Sequence, residues 1–430
     1  MVALIKALQV ILALSLLIIV HEFGHFMWAR IFGIRVEKFY LFFGRAIVKW
    51  HWGDTEFGIG WIPFGGYCKI AGMIDESMDL EQLKRKPQPW EFRTRPAWQR
   101  LLVMAGGVIN NFIFAILIYC IIAGIWGEAY ISNKDAQIAP NELAHEMGFR
   151  LGDHIIDYDG WEPENFGMLQ ADLARRDVRT AHILRGADTV SLYIDHAYIA
   201  DILNSPVMFD LAVPFVVDSM RADGPNGSCG LQKGDRVLGF DGQTVSFIQD
   251  ARPVLADHRS STIEASVLRG TDTLSIPVNV DSLGQIGVFL VMPEIEKRQY
   301  SVAESVPAGF RLTWDTIRGY VQDLGMLVRP STGAYKSVGS FIAIGQVFPE
   351  AWDWYRFLSI LALLSVMLGI MNLLPIPALD GGHILFTLYE MITRRKPSDR
   401  FLMVMQVIGM LLLLALMVLA FGNDIGRLIH

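Results

Sequence analysis

The sequence predicts a multi-span α-helical membrane protein with four transmembrane helices and a tandem of β-rich domains inserted between helices 2 and 3. Three observations predict it. Four stretches approach the roughly 20 apolar residues that cross a bilayer. Hydrophobic residues make up 52% of the 430, above the about 45–50% usual for soluble domains. A phrase at Gly148 returns at Gly230 in the long stretch between spans two and three, as in a duplicated domain.

The spans read as Val2 to about Trp28, Leu101 to Trp126, about Phe357 to Leu374, and Phe401 to Phe421. The first starts with a lysine, Lys6, as a signal peptide would. No small-x-small site closes it, however, and apolar residues resume at Phe26, Met27 and Trp28, so it is read as spanning. Lysine and arginine bias sets orientation. The loop between spans one and two runs from Arg30 to Arg100 and includes Arg35, Lys38, Arg45, Lys49, Lys84 and Arg85, while the loop between spans three and four carries Arg394, Arg395, Lys396 and Arg400. Both are expected in the cytoplasm, with the inserted domains and both termini outside. The net charge of −7 argues against a nucleic-acid partner. Three cysteines, Cys68, Cys120 and Cys229, with no CxxC, argue against a disulfide framework or a cysteine-rich zinc site.

The insert reads as two copies. "GFRLGDHIIDYDG" from Gly148 matches "GLQKGDRVLGFDG" from Gly230, and "ILRGADTVSLYI" from Ile183 matches "VLRGTDTLSIPV" from Val267. Short alternating runs closed by Asp-Gly or Arg-Gly are the mark of hairpin-rich domains. The copies, 127–205 and 206–292, resemble a tandem of PDZ domains, which bind extended chain ends by adding a strand to an exposed edge. A rigid spacer or a steric screen is the alternative reading. In the connector, 293–356, Phe310, Trp314, Ile317, Val321 and Leu324 recur at helical spacing, with Arg311, Arg318 and Arg329 among them. An interfacial helix on the outer membrane surface and a helix packed on the domain pair both fit that pattern.

The first span contains His21-Glu22-Phe23-Gly24-His25, an H-E-x-x-H motif. On a helix, residues i and i+4 share a face, so both imidazoles can hold one zinc ion, and Glu22 is placed to take a proton from a water on the metal. Ionisable groups in a membrane helix cost roughly 2.5–3.5 kcal/mol each and mark a functional site. Catalytic zinc usually takes three protein ligands. "GIMNLLPIPALDGGHILF" from Gly369 offers Asp380 as the third, with His383 as a rival. Pro375 and Pro377 break the helical ladder there. Irregular backbone at membrane depth is tolerated where it is buried in protein or lines a cavity.

These residues carry a resemblance to the site-2 protease family of intramembrane zinc metalloproteases. Within it the chain resembles the bacterial regulator-of-sigma-E proteases, whose two PDZ domains lie between the second and third spans. The family's H-E-x-x-H and N-x-x-P-x-P-x-L-D-G-G signatures read "HEFGH" and "NLLPIPALDGG" here, and its G-x-x-x-N falls on Gly107 and Asn111. The resemblance implies zinc held by His21, His25 and Asp380, Glu22 as general base, and Asn372 holding the substrate backbone. It also implies a membrane-associated β-hairpin at about 55–72, "TEFGIGWIPFGGYCKIAG", that pairs with an unwound substrate. There Phe57, Ile59 and Trp61 alternate with small residues, Pro63-Phe64-Gly65-Gly66 is read as the turn, and Gly65 and Gly66 permit close backbone approach.

The expected activity is therefore zinc-dependent hydrolysis within the transmembrane segment of single-span membrane proteins, in the bacterial inner membrane. Anti-sigma-factor-like regulators and remnant signal peptides, trimmed beforehand, are the expected substrates. The rivals are a catalytically silent PDZ-bearing membrane scaffold, against which Glu22 argues, and a metal transporter. Transporters repeat their spans, whereas the repeat here lies outside them.

Overall fold

The computed structural model describes residues 2–73, 86–221, 224, 226–227, 229–327, 329 and 339–429. Lys84, Arg85 and residues 330–338 of the connector lie outside the described residues. The chain forms two compact units: Met1–Gly127 with Gln299–Gly325 and Tyr335–His430, and Glu128–Arg298 with Met326–Ala334.

The first unit contains α1 (Val2–Ile31), the paired strands β1 (Val36–Trp52) and β2 (Thr55–Ile70), α2 (Ala97–Ile125), α3 (Val302–Leu327), α4 (Trp354–Leu373), α5 (Asp380–Thr393) and α6 (Asp399–Ile429). Among the described residues, α1, α2, α4 and residues Arg400–Gly426 of α6 are long and apolar enough to cross a membrane. Helix boundaries follow local chemistry. The Asp353 carboxylate caps α4 by accepting from the Arg356 amide at 3.0 Å. Leu374, forced out of the helical region by Pro375, ends α4 with ψ 142°. The α1–α2 crossing is set by glycines: a Cβ on Gly24 would overlap the Gly106 carbonyl, so the two backbones touch. Ala13 and Leu17 of α1, Ile118 and Ile122 of α2, and Phe357 and Leu361 of α4 form the buried centre of the bundle.

The strand pair differs from the sequence expectation. Residues Thr55–Ile70 are a single strand rather than a hairpin, and its antiparallel partner is Val36–Trp52. The turn is at Gly53–Asp54, and Pro63–Gly66 is not a turn. Both strands bend, so Phe39 is paired with Cys68 and also with Phe57. Gly60 sits on the carbonyls of Phe42 and Phe43, and the Gly65 Cα faces the Phe43 ring. These glycines serve close packing between bent strands, which a Pro-Phe-Gly-Gly phrase read locally does not distinguish from a turn.

One face of the amphipathic helix α3 packs within the first unit. Its small residues Ser305, Ala308, Gly309 and Thr313 are buried or tightly approached. Gly309 meets the Cys120 backbone of α2, and the Thr316 hydroxyl is 3.0 Å from the Tyr119 hydroxyl. Ile317, Tyr320 and Leu324 pack on Ala115 of α2 and on Val366 and Ile370 of α4. Its other face leaves Val306, Phe310, Trp314 and Val321 exposed.

The second unit carries the repeat. The first copy contains β4 (Ile138–Pro140), β5 (His154–Tyr158), β6 (Thr180–Arg185), β7 (Asp188–Tyr193) and β8 (Phe209–Leu211), after a β3 (Glu128–Ile131) that pairs with the last strand of the unit. The second copy contains β9 (Val217–Met220), β10 (Arg236–Phe240), β11 (Gln243–Thr244), β12 (Thr262–Arg269), β13 (Asp272–Asn279) and β14 (Val288–Leu290). Their registers correspond. Ile155↔Ile183 and Tyr158↔Ala181 in one copy answer Val237↔Val267 and Phe240↔Ala265 in the other, each with an irregularity in between. Each copy has its own core, one around Phe149, Ile155 and Tyr158 and the other around Phe215, Val237 and Phe240. The repeated Gly-Asp and Arg-Gly phrases meet as one device. Arg185 holds Asp153 with two hydrogen bonds (2.9 and 2.8 Å) and the Gly148 carbonyl with a third (2.8 Å). Arg269 does the same to Asp235 and Gly230, each at 2.7 Å.

Candidate active site

The H-E-x-x-H turn of α1, the start of α5 and the middle of α2 converge on one point of the first unit. His21 Nε2 and His25 Nε2 are 3.3 Å apart, and Asp380 Oδ2 lies 3.2 and 3.3 Å from them. Among the described residues these three form the group able to hold a metal ion. Zinc bonds of about 2.0–2.2 Å in tetrahedral geometry place donor atoms about 3.3–3.5 Å apart, so the triangle has the size of one face of a zinc tetrahedron. Asp380 Oδ2 is buried against the two imidazole Nε2 atoms, which as neutral ligands give it no counter-charge, a costly state for a carboxylate that a cation relieves. The residues present fit zinc.

The outer contacts of the imidazoles favour the same use. His25 Nδ1 lies 2.8 Å from the Val103 carbonyl of α2, so it carries the proton and leaves Nε2 free as a ligand. Asn111 of α2 meets His21 Nδ1, and Asn372, in the last turn of α4, places its amide nitrogen 3.2 Å from His21 Nε2. Gly107 is the cradle for both rings. A Cβ there would be 2.6 Å from His21 Cε1 and from His25 Nε2.

Asp380 reaches the histidines because the chain between α4 and α5 is irregular. Leu374 to Leu379 form a tight loop in which the Ile376 amide donates to the Leu374 carbonyl and the Leu379 amide to that of Ile376. A Cβ on Gly381 or Gly382 would strike the carbonyls of Leu374 or Ile376. The loop therefore folds back onto the first turn of α5. Ala378 has φ 98°, a region that costs a side-chain-bearing residue about 1–3 kcal/mol and is kept only where the surroundings enforce it. The far end of α5 is tied to α2 by the Arg100–Glu390 ion pair.

The three donors and Glu22 line a cavity of about 780 Å³ that also takes in Asn372, His383 and residues Gly65–Ile70 of β2. Glu22, next to His21 in sequence, comes near the Cys68 backbone of that strand. The sequence-predicted residues thus separate into two groups. His21, Glu22, His25, Asp380, Asn372, Gly65 and Gly66 come together at the cavity. Phe57, Ile59 and Trp61 do not: Phe57 packs among Phe26, Phe39 and Trp50, Ile59 pairs with Leu41 and Val48, and Trp61 is exposed. None of these three lines the cavity. Gly66 sits against Ile18 of α1 (2.5 Å to an added Cβ), one turn before His21. His383 lines the cavity but is not one of the three converging donors.

Two further contributors escape motif reading. The Val103 carbonyl is a backbone atom and leaves no side-chain signal. Gln406 of α6 is only 5% exposed and lines the cavity. Its signal was a lone amide within an apolar span.

Comparison with known proteins agrees with this geometry. The pattern of Peptidase family M50 matches residues 9–416. The chain is 31% identical over 449 residues to the regulator of sigma-E protease RseP of Salmonella typhimurium (strain 14028s / SGSC 2262), covering 97% of this chain and 98% of that protein. It is 31% identical over 447 residues to the protein of the same name from Escherichia coli K12, with the same coverage. A putative zinc metalloprotease of Vibrio cholerae is 30% identical over 460 residues, covering 97% of this chain and 98% of that protein. The chain belongs to peptidase family M50 and is an intramembrane zinc metalloprotease.

Proposed function

We propose that this protease cuts single-span membrane proteins inside their transmembrane segment, in the bacterial inner membrane, after an earlier cut has removed most of the substrate's outer domain. One observation carries the reading. The cavity that holds the metal donors and Glu22 is lined along one wall by extended backbone, residues Gly65 to Ile70 of β2. A helical substrate hides its carbonyls in its own hydrogen bonds and must unwind before hydrolysis. An extended segment then needs partners for its backbone groups, and a strand running along the cavity is placed to offer them.

His21, His25 and Asp380 would hold zinc, which when bound would supply Lewis acidity beside Glu22. Glu22 takes the proton of the attacking water and returns it to the departing amine. Asn372 orients the substrate carbonyl through its amide. Gly65 and Gly66, with no side chains, let the substrate strand lie close. Gly107, with no side chain, leaves room for both imidazoles against the α2 backbone. The relatives named as regulators of sigma-E protease support anti-sigma-factor-like regulators as substrates, and remnant signal peptides share the same single-span chemistry. The PDZ-like repeats, outside the membrane with both termini, act as the screen that admits trimmed substrates, with peptide chain ends as their ligands.

The test is a reporter with one apolar span, presented to the purified protease in lipid and mapped by mass spectrometry. Cuts inside the span are expected, faster when a Gly-Pro pair loosens its helix. Cuts confined to the soluble flanks, or indifference to the helix breaker, would contradict this reading.

A further inference from the structure

We propose that Gly409 of α6 is a positioning residue for the metal site: it lets the last helix press directly on the Pro377–Ala378 backbone and hold the loop that aims Asp380. The inference rests on the reading of Asp380 as a zinc ligand. A Cβ built on Gly409 falls onto the Pro377 carbonyl oxygen and lies 3.1 Å from the Ala378 side chain. Any larger residue must therefore move α6 or the loop. The loop has no intrinsic preference for its shape, because Ala378 sits at φ 98° two residues before the carboxylate. It is clamped from one side by Gly381 and Gly382, which receive the Leu374 and Ile376 carbonyls, and from the other by Gly409.

The placement of this contact on α6 is informative. Only 11% of the apolar stretch of α6 is buried, against 39% for α4, so the helix is held at few points. Gln406 and Gly409, one turn apart on the same face, are both buried, and Gln406 lines the cavity. Gly422 and Gly426, further along the helix, meet nothing within 4 Å. The close backbone approach of α6 thus falls at the metal loop. A ligand must be held to within about 0.5 Å for productive geometry, and a displaced Pro377–Ala378 segment would carry Asp380 off the histidine pair.

The experiment measures zinc retention against a chelator in the full-length protein in lipid. Gly409→Leu is expected to release zinc at chelator concentrations at least about tenfold lower than wild type does, the range typical for lost outer support of a metal ligand. Excess zinc should restore binding, and circular dichroism should show the helices of the zinc-free protein intact. Gly422→Leu, on the same helix but facing open space, should retain zinc like wild type. Wild-type retention by Gly409→Leu, or equal loss in both variants, would overturn the proposal. If Gly409→Leu does not accumulate, Gly409→Ala is read in the same assay. A smaller loss in the same direction supports the proposal, and no loss overturns it. Asp380→Ala separates the two layers: zinc retained there would remove the ligand assignment itself, whereas zinc lost there but kept in Gly409→Leu would remove only the role of Gly409.

Discussion

His21 Nδ1 lies 3.1 Å from the amide nitrogen of Asn111, while the amide oxygen of the same side chain is buried without a partner. Nitrogen and oxygen of an amide are assigned from the hydrogen-bond network. Turning the Asn111 amide end for end lets its oxygen accept a proton from His21 Nδ1, which leaves Nε2 as a lone-pair ligand beside Asp380. His25 is held in the same tautomer by the Val103 carbonyl. Both imidazoles are then prepared for the metal by α2.

Replacement of Asn111 should therefore weaken the metal and not merely the fold. Asn111→Leu is expected to lower zinc affinity by about 10–100-fold, whereas Asn111→Asp, which keeps an acceptor, should lose less. Competition with a chromogenic chelator measures both. Equal affinity in Asn111→Leu and wild type would show that His21 is oriented by something else.

Gly107 tests the cradle. An added methyl would stand 2.6 Å from both rings, so Gly107→Ala should displace the imidazoles and reduce cleavage by about 100-fold, the scale of a misplacement of about 1 Å. Circular dichroism should show the helices intact. Cleavage at the wild-type rate by this variant would mean that α2 yields more easily than two touching backbones suggest.

The repeats carry a pH prediction. The Arg269 guanidinium, hydrogen-bonded to Asp235, holds that carboxyl below the usual carboxylate range. A depressed folded-state pKa contributes stability that is fully present above the unfolded value of about 3.9 and is lost as pH falls through the folded value. Arg269→Met leaves the Asp235 carboxylate without its counter-charge and should destabilise the second repeat near neutrality. The cost should shrink once the pH lies below the folded value. Hydrogen exchange of β12 and β13 in the full-length protein reads the difference, and a cost independent of pH would refute the assignment.

Much of this was legible in the sequence because the chemistry is local or expensive. His21 and His25 are one helical turn apart, and a carboxylate beside two prolines in an apolar stretch demands a partner, so Asp380 stood out. The duplicated Gly-Asp and Arg-Gly phrases mark residues that meet in space, Asp153 with Arg185 and Asp235 with Arg269. What was lost depended on long-range geometry. Pro63 to Gly66 has the composition of a turn, yet these residues lie mid-strand because Val36–Trp52 supplies the partner and Phe43 fills the space over Gly65. The alternation of Phe57, Ile59 and Trp61 marks a strand but not which half of it meets the site, and the half that lines the cavity is Gly65–Ile70. The small residues of α3 made it a partner for α2, which its apolar stripe alone did not reveal. Gly409, one glycine in a long apolar helix, carries no signal until its neighbour is known.

The central claim is that the three converging donors bind zinc and that Glu22, beside them, does the proton transfer. The most direct test is Glu22→Gln in the full-length protein in lipid, with bound zinc and cleavage of a single-span reporter measured on the same sample. The account predicts zinc at the wild-type stoichiometry and cleavage reduced by about 10²–10⁴-fold, the usual contribution of a general base. Cleavage at the wild-type rate with zinc in place would contradict it.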